Sequence, residues 1–405
     1  MKQSQPTILV TDTSRGSAIS ILRSLGRRGW RVIASDSDPK SLGFRSRFVH
    51  GTFVYPKPES DPQALVTALQ EAVRQWQVDL IIPVTDAIIL PLSAARSQFA
   101  DHCALAIPEA DALAVATDKR QTVQLAESLG VPTPQTSLVH TVAEAVANGQ
   151  ELGWPLVLKP QVSRLYRKDS IEAFEVSYAQ TVDDLAKQMA RFENLCPVLL
   201  QEYYPGEGHG VELLMHEGRP LAAFQHKRLR EVPINGGASA LRESVALDPQ
   251  LYDYAVRLLQ ALKWTGLAMV EFKVGKRGPS LMEINGRVWG SLPLAVRSGM
   301  DFPARLAELY LSGPPAAGAP CQAYRVGTRA RNLELDILWI AAVLNGKQRY
   351  PFLRMPARHQ AVRAFFELFH PAYKFDILSW EDPLPGVAEI FKISRKLYGK
   401  VKHDN

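Results

Sequence analysis

Glu271 and Glu283 stand twelve residues apart on two short apolar runs, Leu267-Ala-Met-Val-Glu-Phe-Lys-Val274 and Ser280-Leu-Met-Glu-Ile-Asn285, joined across Gly275-Lys-Arg-Gly278. Runs of strand-forming residues bounded by Gly and Pro read as a β-hairpin. Folded about Arg277, such a hairpin sets Glu271 directly opposite Glu283. Opposed side chains on one face have Cβ atoms roughly 4.5–5.5 Å apart, where like charges repel. Side chains alternate along a strand, so Asn285 falls on the face that carries Glu283. Two carboxylates and an amide oxygen converging at one spot ask for a cation. Hard oxygen ligands suit Mg²⁺, which commonly binds through one or two carboxylates together with substrate phosphates. The alternative is a solvated hairpin with both carboxylates turned to water.

The 405 residues, 46% hydrophobic and 22% charged, suit an ordinary globular chain of two or three domains. Cys103, Cys196 and Cys321 lie far apart without CxxC or Cys/His spacing. That pattern argues against zinc and against a disulfide framework, and it suits a reducing, cytoplasmic setting. No apolar signal region precedes the strand at Thr7-Ile-Leu-Val10, and the longest clean apolar run, Ile337–Leu344, is too short to cross a membrane. The net charge of +6 resides in residues 321–405, which hold 14 Lys and Arg against 8 Asp and Glu. A basic final segment meets an anionic partner or simply forms a soluble helical face. No nucleic-acid-binding motif accompanies it, so no nucleic-acid partner is expected.

Along the first 117 residues strands at Thr7–Thr11, Arg31–Ser35, Leu80–Val84 and Ala104–Ile107 alternate with helices, the first of them Gly16–Arg28. That alternation predicts a small α/β domain with a doubly wound parallel sheet. The loop Asp12-Thr-Ser-Arg-Gly16 lacks the three-glycine spacing of a dinucleotide fingerprint, which leaves Asp36 a weak candidate for a ribose contact. A helix opening at Asp118-Lys-Arg120 runs to Leu129 and is stopped by Gly130-Val-Pro-Thr-Pro134. Strands follow at Pro155–Pro160, Val198–Tyr204, Val211–Met215 and 221–226, then the helix Pro249–Leu262 that leads into the carboxylate hairpin. Gly313–Pro320 reads as a linker, and helices near 333–345, 356–370 and 385–400 follow it.

In this order the chain presents Asp118-Lys119, Val157-Leu-Lys159-Pro160, Gln201-Glu-Tyr-Tyr-Pro-Gly206, Glu271 and Glu283-Ile-Asn285-Gly-Arg287. Over residues 1–310 that series resembles the ATP-grasp superfamily, in its carbamoyl-phosphate synthase and biotin carboxylase branch, and is similar to predicted carboxylate–amine ligases there. The resemblance implies an α+β ATP-grasp domain at 118–312, after a preceding α/β domain at 1–117 and before a mostly helical basic region at 321–405.

Carried onto these positions, the resemblance implies ATP with Mg²⁺ (or Mn²⁺) as cofactors. Lys119 and Lys159 would meet the α- and β-phosphates, where a compact ammonium suits the anion. Each has a surface ion pair as its alternative. Gln201, Glu202, Tyr203 and Tyr204 resemble the hinge whose backbone meets adenine, with Glu202 or Glu207 on the ribose hydroxyls. Glu271, Glu283 and Asn285 would hold the metal. Arg287 would neutralise the transferring phosphoryl group, unless it forms an ion pair with Glu283. Lys227 matches a position where relatives place a cation near the phosphates, while His226, Arg228 and Arg230 are expected to be solvated. Where relatives carry a glycine-rich lid, this chain has Gln161-Val-Ser-Arg-Leu-Tyr-Arg-Lys-Asp169. Ser163 and Arg164 are its candidates for that role. The loop at Asn235–Ser239 is a candidate oxyanion cradle or an ordinary turn, and Trp289 either walls the acceptor pocket or sits in the core. Arg329, Arg331 and Asp336 are candidate acceptor contacts.

These features lead to the expectation of a ligase that activates a small-molecule carboxylate as an acyl phosphate and joins it to an amine. The alternatives are a kinase-like phosphotransferase of the same fold and a non-catalytic ATP-binding module acting through the basic region. Self-association through apolar helical faces is a further expectation.

Overall fold

Alternating strands and helices over the first hundred residues fold into a wholly parallel sheet. Its strands are β1 (Thr7–Val10), β2 (Arg31–Asp36), β3 (Gly51–Val54), β4 (Leu80–Ile82) and β5 (Ala104–Leu105), in the order β3-β2-β1-β4-β5. The computed structural model describes residues 5–162, 164–166, 171–174, 176–234, 236–316, 323–346, 350, 352–353 and 355–403. β1 and β4 are buried throughout, as strands covered on both faces by helices must be. The strand order reverses between β1 and β4, so the loops after them open a crevice at their carboxyl ends. Ser14, Arg15, Thr85 and Asp86 line a cleft there. Asp36 does not reach out for a ligand: its Oδ2 accepts from the Ser14 N–H at 2.7 Å and the Ser41 hydroxyl at 2.9 Å, bracing the loop from within.

The next unit is an antiparallel sheet built from β6 (Thr136–Val139), β7 (Leu156–Pro160), β10 (Ser177–Ala179) and β11 (Val198–Glu202), ordered β10-β7-β11-β6. Between β7 and β10, β8 (Arg164–Tyr166) and β9 (Ile171–Ala173) pair only with each other. Helices Val142–Leu152 and Val182–Met189 close one face over a core that includes Leu156, Leu158, Leu185 and Leu200.

A seven-stranded sheet completes the cleft. It holds β12 (Glu207–His216), β13 (Arg219–Val232), β14 (Ala238–Val245), β15 (Gly266–Gly275), β16 (Gly278–Asn285), β17 (Arg329–Arg331) and β18 (Tyr373–Phe375), in the order β16-β15-β12-β13-β14-β17-β18. The helix Pro249–Ala261 packs beneath it, started by Asp248, whose carboxylate accepts from the Gln250 and Leu251 N–H groups, with Pro249 at its first position.

The basic final segment adds β17 and β18 to the edge of this sheet, then returns to the first domain. Asp382, at the start of the helix Pro383–His403, accepts from Arg23 Nε at 2.9 Å, the Ser46 hydroxyl at 2.8 Å and the Arg47 N–H at 2.9 Å. Both charged partners are almost fully buried. The C-terminal helix is therefore clamped across the cleft's end. Phe365, Phe366, Phe369 and Phe391 remain exposed on this segment.

Candidate active site

The hairpin reaches the expected pairing by an unexpected route. Gly275 pairs with Gly278 around a two-residue turn, which alone would offset the register by one. An irregularity between Glu271 and Phe272 absorbs Met282 as an extra residue, and beyond it Glu271 faces Glu283. Gly278 adopts φ +97°, the left-handed backbone the turn requires.

Asn285 lies between the two carboxylates, its Nδ2 donating to Glu271 Oε1 at 3.1 Å and to Glu283 Oε1 at 2.9 Å. A half-turn of that amide exchanges its NH₂ for its oxygen and leaves three oxygens facing one point. The donor set, two carboxylates and one amide oxygen, is that of a hard divalent ion such as Mg²⁺. The two acids are balanced differently. Burial raises the Glu271 carboxyl, with Arg228 opposing and Glu283 adding to the shift. Burial alone would raise Glu283 too, but the Asn285 hydrogen bond and the charges of Lys119, Lys159 and Arg287 hold it below the usual range.

Lys119 and Lys159 come from different elements and are fastened together. Asp118 caps the helix Lys119–Ser128 by accepting from the Arg120 and Gln121 N–H groups, and it also accepts from Gln161 Nε2 at 2.7 Å. The Lys119 N–H donates to the Gln161 carbonyl at 3.1 Å. The first turn of this helix is thereby tied to the end of β7, which carries Lys159. Burial pushes the Lys159 ammonium down to about 8, against the pull of Glu283. Lys119 is lowered by the same cause.

Gln201, Glu202, Tyr203 and Tyr204 line the cleft at the junction of the two sheets. Gln201 donates to Thr136 Oγ1 at 2.8 Å, and Glu202 is held by Arg277 at 2.7 Å and by the Gln135 N–H at 3.1 Å. The Glu202 and Tyr203 N–H groups bond to the Gln135 and Pro155 carbonyls, fixing the backbone of this segment. Lys273 sits over the Tyr203 ring at 5.3 Å, and Tyr204 donates to the Gly278 carbonyl at 2.7 Å. Arg287 lies just past the end of β16. Its Nε pairs with Asp86 of the first domain at 3.1 Å rather than with Glu283.

Two expected contacts fall elsewhere. Lys227 points to the opposite face of β13, where it pairs with Glu243 at 3.7 Å, outside the cleft lining. Glu207, at the first position of β12, is exposed, 3.9 Å from His209 and likewise away from the cleft. Ser163 and Asn235 lie outside the described residues.

In place of Lys227, β13 sends in the residues expected to be solvated. Arg228 ion-pairs with Glu271, and His226 Nδ1 pairs with Glu212, both buried. Burial raises Glu212 and lowers His226, favouring the uncharged pair. His226 lines the cleft, and its Nε2 has no partner among the described residues. A Cβ on Gly210 would come 2.5 Å from the His226 ring, so the glycine makes this placement possible. The sequence signal was the alternation itself: residues 226 and 228 share one face and 227 the other.

Arg230, also expected in solvent, stacks on Trp339 at 4.9 Å and donates to Asp336 at 2.9 Å. Arg331 reaches the same carboxylate at 2.8 Å, and Arg329 pairs with Glu243 at 2.9 Å. These residues join the sheet to the final helices and do not line the cleft. Trp289 is fully buried against Phe302.

Two adjoining cavities, about 260 and 760 Å³, share Asp86, Lys159, Gln201, Met282 and Glu283 along their boundary. The family described as ATP-grasp in the biosynthetic pathway with Ter operon matches residues 194–331. The chain carries an ATP-grasp domain. Carbamoyl phosphate synthase large chains are similar to it: 23% identity over 209 residues in Acidobacterium capsulatum, covering 50% of this chain and 19% of that one. The Xylella fastidiosa protein is 24% identical over 239 residues, covering 56% and 22%. The matches thus span about a fifth of those curated relatives' length.

Solved structures share the fold. Campylobacter jejuni biotin carboxylase, described in complex with β,γ-ATP, has a TM-score of 0.63 and 19% identity, covering 80% of this chain and 74% of that one. L-amino acid ligase from Bacillus licheniformis has a TM-score of 0.60 and 16% identity, covering 78% and 76%. N5-carboxyaminoimidazole synthetase from Staphylococcus aureus has 0.62 and 13%, covering 85% and 86%. The paired glutamates of this ATP-grasp domain lie on β15 and β16, inside the matched residues.

Proposed function

We propose that this chain is an ATP-dependent ligase that activates a small-molecule carboxylate as an acyl phosphate and joins it to an amine, releasing ADP and phosphate. The observation that carries this reading is the Glu271–Glu283 pair bridged by Asn285 and ringed by Lys119, Lys159, Arg228 and Arg287. Phosphoryl transfer asks a protein for positioning and charge neutralisation more than for covalent chemistry. Glu271, Glu283 and Asn285 would hold Mg²⁺, which would supply that charge neutralisation.

Lys119, at the start of its helix, and Lys159, on β7, hold the phosphates, and the Gln201–Tyr204 segment walls the base. Attack by a substrate carboxylate oxygen on the γ-phosphorus breaks its bond to the bridging oxygen and leaves ADP. The amine then adds to the acyl carbon and expels phosphate, its proton passing to solvent or to a cleft base. Arg287, in the cleft lining, takes the role of neutralising the transferred group. The first domain and the hinge exclude water from the mixed anhydride. L-amino acid ligase and N5-carboxyaminoimidazole synthetase among the structural neighbours support C–N bond formation as the reaction class.

Incubation with ATP, Mg²⁺ and pooled amino acids and carboxylic acids tests the reading. ADP should form only when carboxylate and amine are both present, and hydroxylamine in place of the amine should intercept the acyl phosphate and give a hydroxamate. ADP formation without a hydroxamate would indicate a phosphotransferase. Nucleotide binding without any turnover would indicate a binding module.

A further inference from the structure

Beyond the paired glutamates the larger cavity runs to a second polar corner, walled by Glu334, Asp376, Glu389 and Lys392. Most charge there is internally matched: Arg242 pairs with Asp376 and Lys396 with Glu334. Glu389, on the clamped C-terminal helix, is different. It is only 5% exposed, it lines the cleft, and its Oε2 has no hydrogen-bond partner among the described residues. Burial pushes its carboxyl up to about 8, Asp376 and Glu334 push the same way, and Lys392 and Arg23 oppose them. A buried acid without a partner is costly to keep. Lys392 is exposed on the helix surface, where a long side chain keeps its head in water. The enclosed side of the corner thus offers a carboxyl group without a partner at Oε2, which a bound cation would hold ionised.

We propose that Glu389 is the recognition point for a positively charged nitrogen, an ammonium or guanidinium group, on a cosubstrate of this enzyme. The inference rests on the ligase reading and narrows its cosubstrates to those carrying a basic nitrogen. An ammonium at Oε2 makes a charge-assisted hydrogen bond, supplies the missing partner and is favoured by the neighbouring acids. A carboxylate ligand at the same point would meet three acids. The final segment would then contribute specificity, since it brings Glu389 to the cleft while the residues proposed to face the nucleotide come from the two sheets and the helix Lys119–Ser128.

The test uses the full chain, with Mg²⁺ and a non-hydrolysable ATP analogue present, and three probes of one length: 1,5-diaminopentane, 1,5-pentanediol and glutarate. Saturation-transfer NMR should rank the diamine first. Glu389→Gln should weaken the diamine at least ~10-fold, the scale of a lost hydrogen bond to a charged group, and leave affinity for the nucleotide analogue unchanged. A preference for glutarate, no diamine binding, or equal diamine affinity in both proteins would overturn the proposal. If the variant does not fold, the wild-type ranking decides alone. A chain that binds no nucleotide removes the ligase reading, whereas nucleotide binding with the wrong ranking removes only the role of Glu389.

Discussion

Arg228 on β13 reaches past β12 to ion-pair with Glu271 on β15, and both side chains are largely buried. This guanidinium is a resident counter-charge on one of the two facing carboxylates. Removing one member of a buried pair leaves the other without compensation, a loss of about 3–5 kcal/mol. Arg228→Met should therefore lower the unfolding free energy in urea by about 3 kcal/mol without changing the denaturant slope. Glu271→Gln combined with Arg228→Met should cost less than the sum of the two single changes. Strict additivity would mean the two side chains do not interact in solution.

Glu283 on β16 and Lys227 on β13 make opposite predictions for activity. Glu283→Gln removes a charged oxygen from the set proposed to hold the metal and should reduce ADP formation at least ~100-fold, the scale seen when one transition-state-stabilising group is lost. Lys227→Ala should change it less than ~3-fold, because the half-buried Lys227–Glu243 pair lies outside the cleft lining. Steady-state ADP release measures both. Comparable losses would show that the strand presents its other face to the cleft.

Lys159 couples function to pH in two opposite senses. Its ammonium is lowered to about 8 by burial, from an unfolded value near 10.5. Between those values the unfolded chain binds more protons than the folded one, so stability from this group rises with pH across that window. Phosphate binding needs the protonated form, so nucleotide affinity should fall as pH rises through about 8. Lys159→Met should flatten the affinity profile, weaken the nucleotide, and stabilise the fold at pH 7 relative to pH 10. Urea melts and nucleotide titrations at matched pH values check both. A variant less stable than the parent at pH 7 would show that the buried ammonium is not strained.

The parallel first sheet and the carboxylate hairpin were legible because hydrophobic period and Gly/Pro punctuation are local signals. The Glu271–Glu283 pairing was legible in outcome but not in route, since the two-residue turn and the extra Met282 offset one another. The choice between Lys227 and Arg228 required knowing which face of β13 meets the cleft. Glu271, the partner of Arg228, lies on β15 two strands away in the sheet, and no local pattern fixes that face. Arg230, Arg331 and Asp336 were hidden for the same reason: three charges meet in a buried network across more than a hundred residues of sequence. Glu389 depends on the C-terminal helix crossing back to the first domain, a placement set by tertiary contacts alone.

That crossing hangs on Asp382, which collects Arg23, Ser46 and the Arg47 backbone in one buried cluster. Among the described residues its carboxylate is the ion-pair partner of the buried Arg23 side chain, so Asp382→Ala strands a buried guanidinium. The expected loss is about 3–5 kcal/mol in urea unfolding, larger than for a surface pair. The exposed Arg27–Glu381 pair beside it gives the internal comparison, and Glu381→Ala should cost less than about 1 kcal/mol. Hydrogen exchange should then show the helix Pro383–His403 opening more readily in Asp382→Ala than in Glu381→Ala, while β15 and β16 keep their protection. Equal opening of the hairpin and the helix would mean that the clamp stabilises the molecule as a whole and does not hold the cleft's far wall in particular.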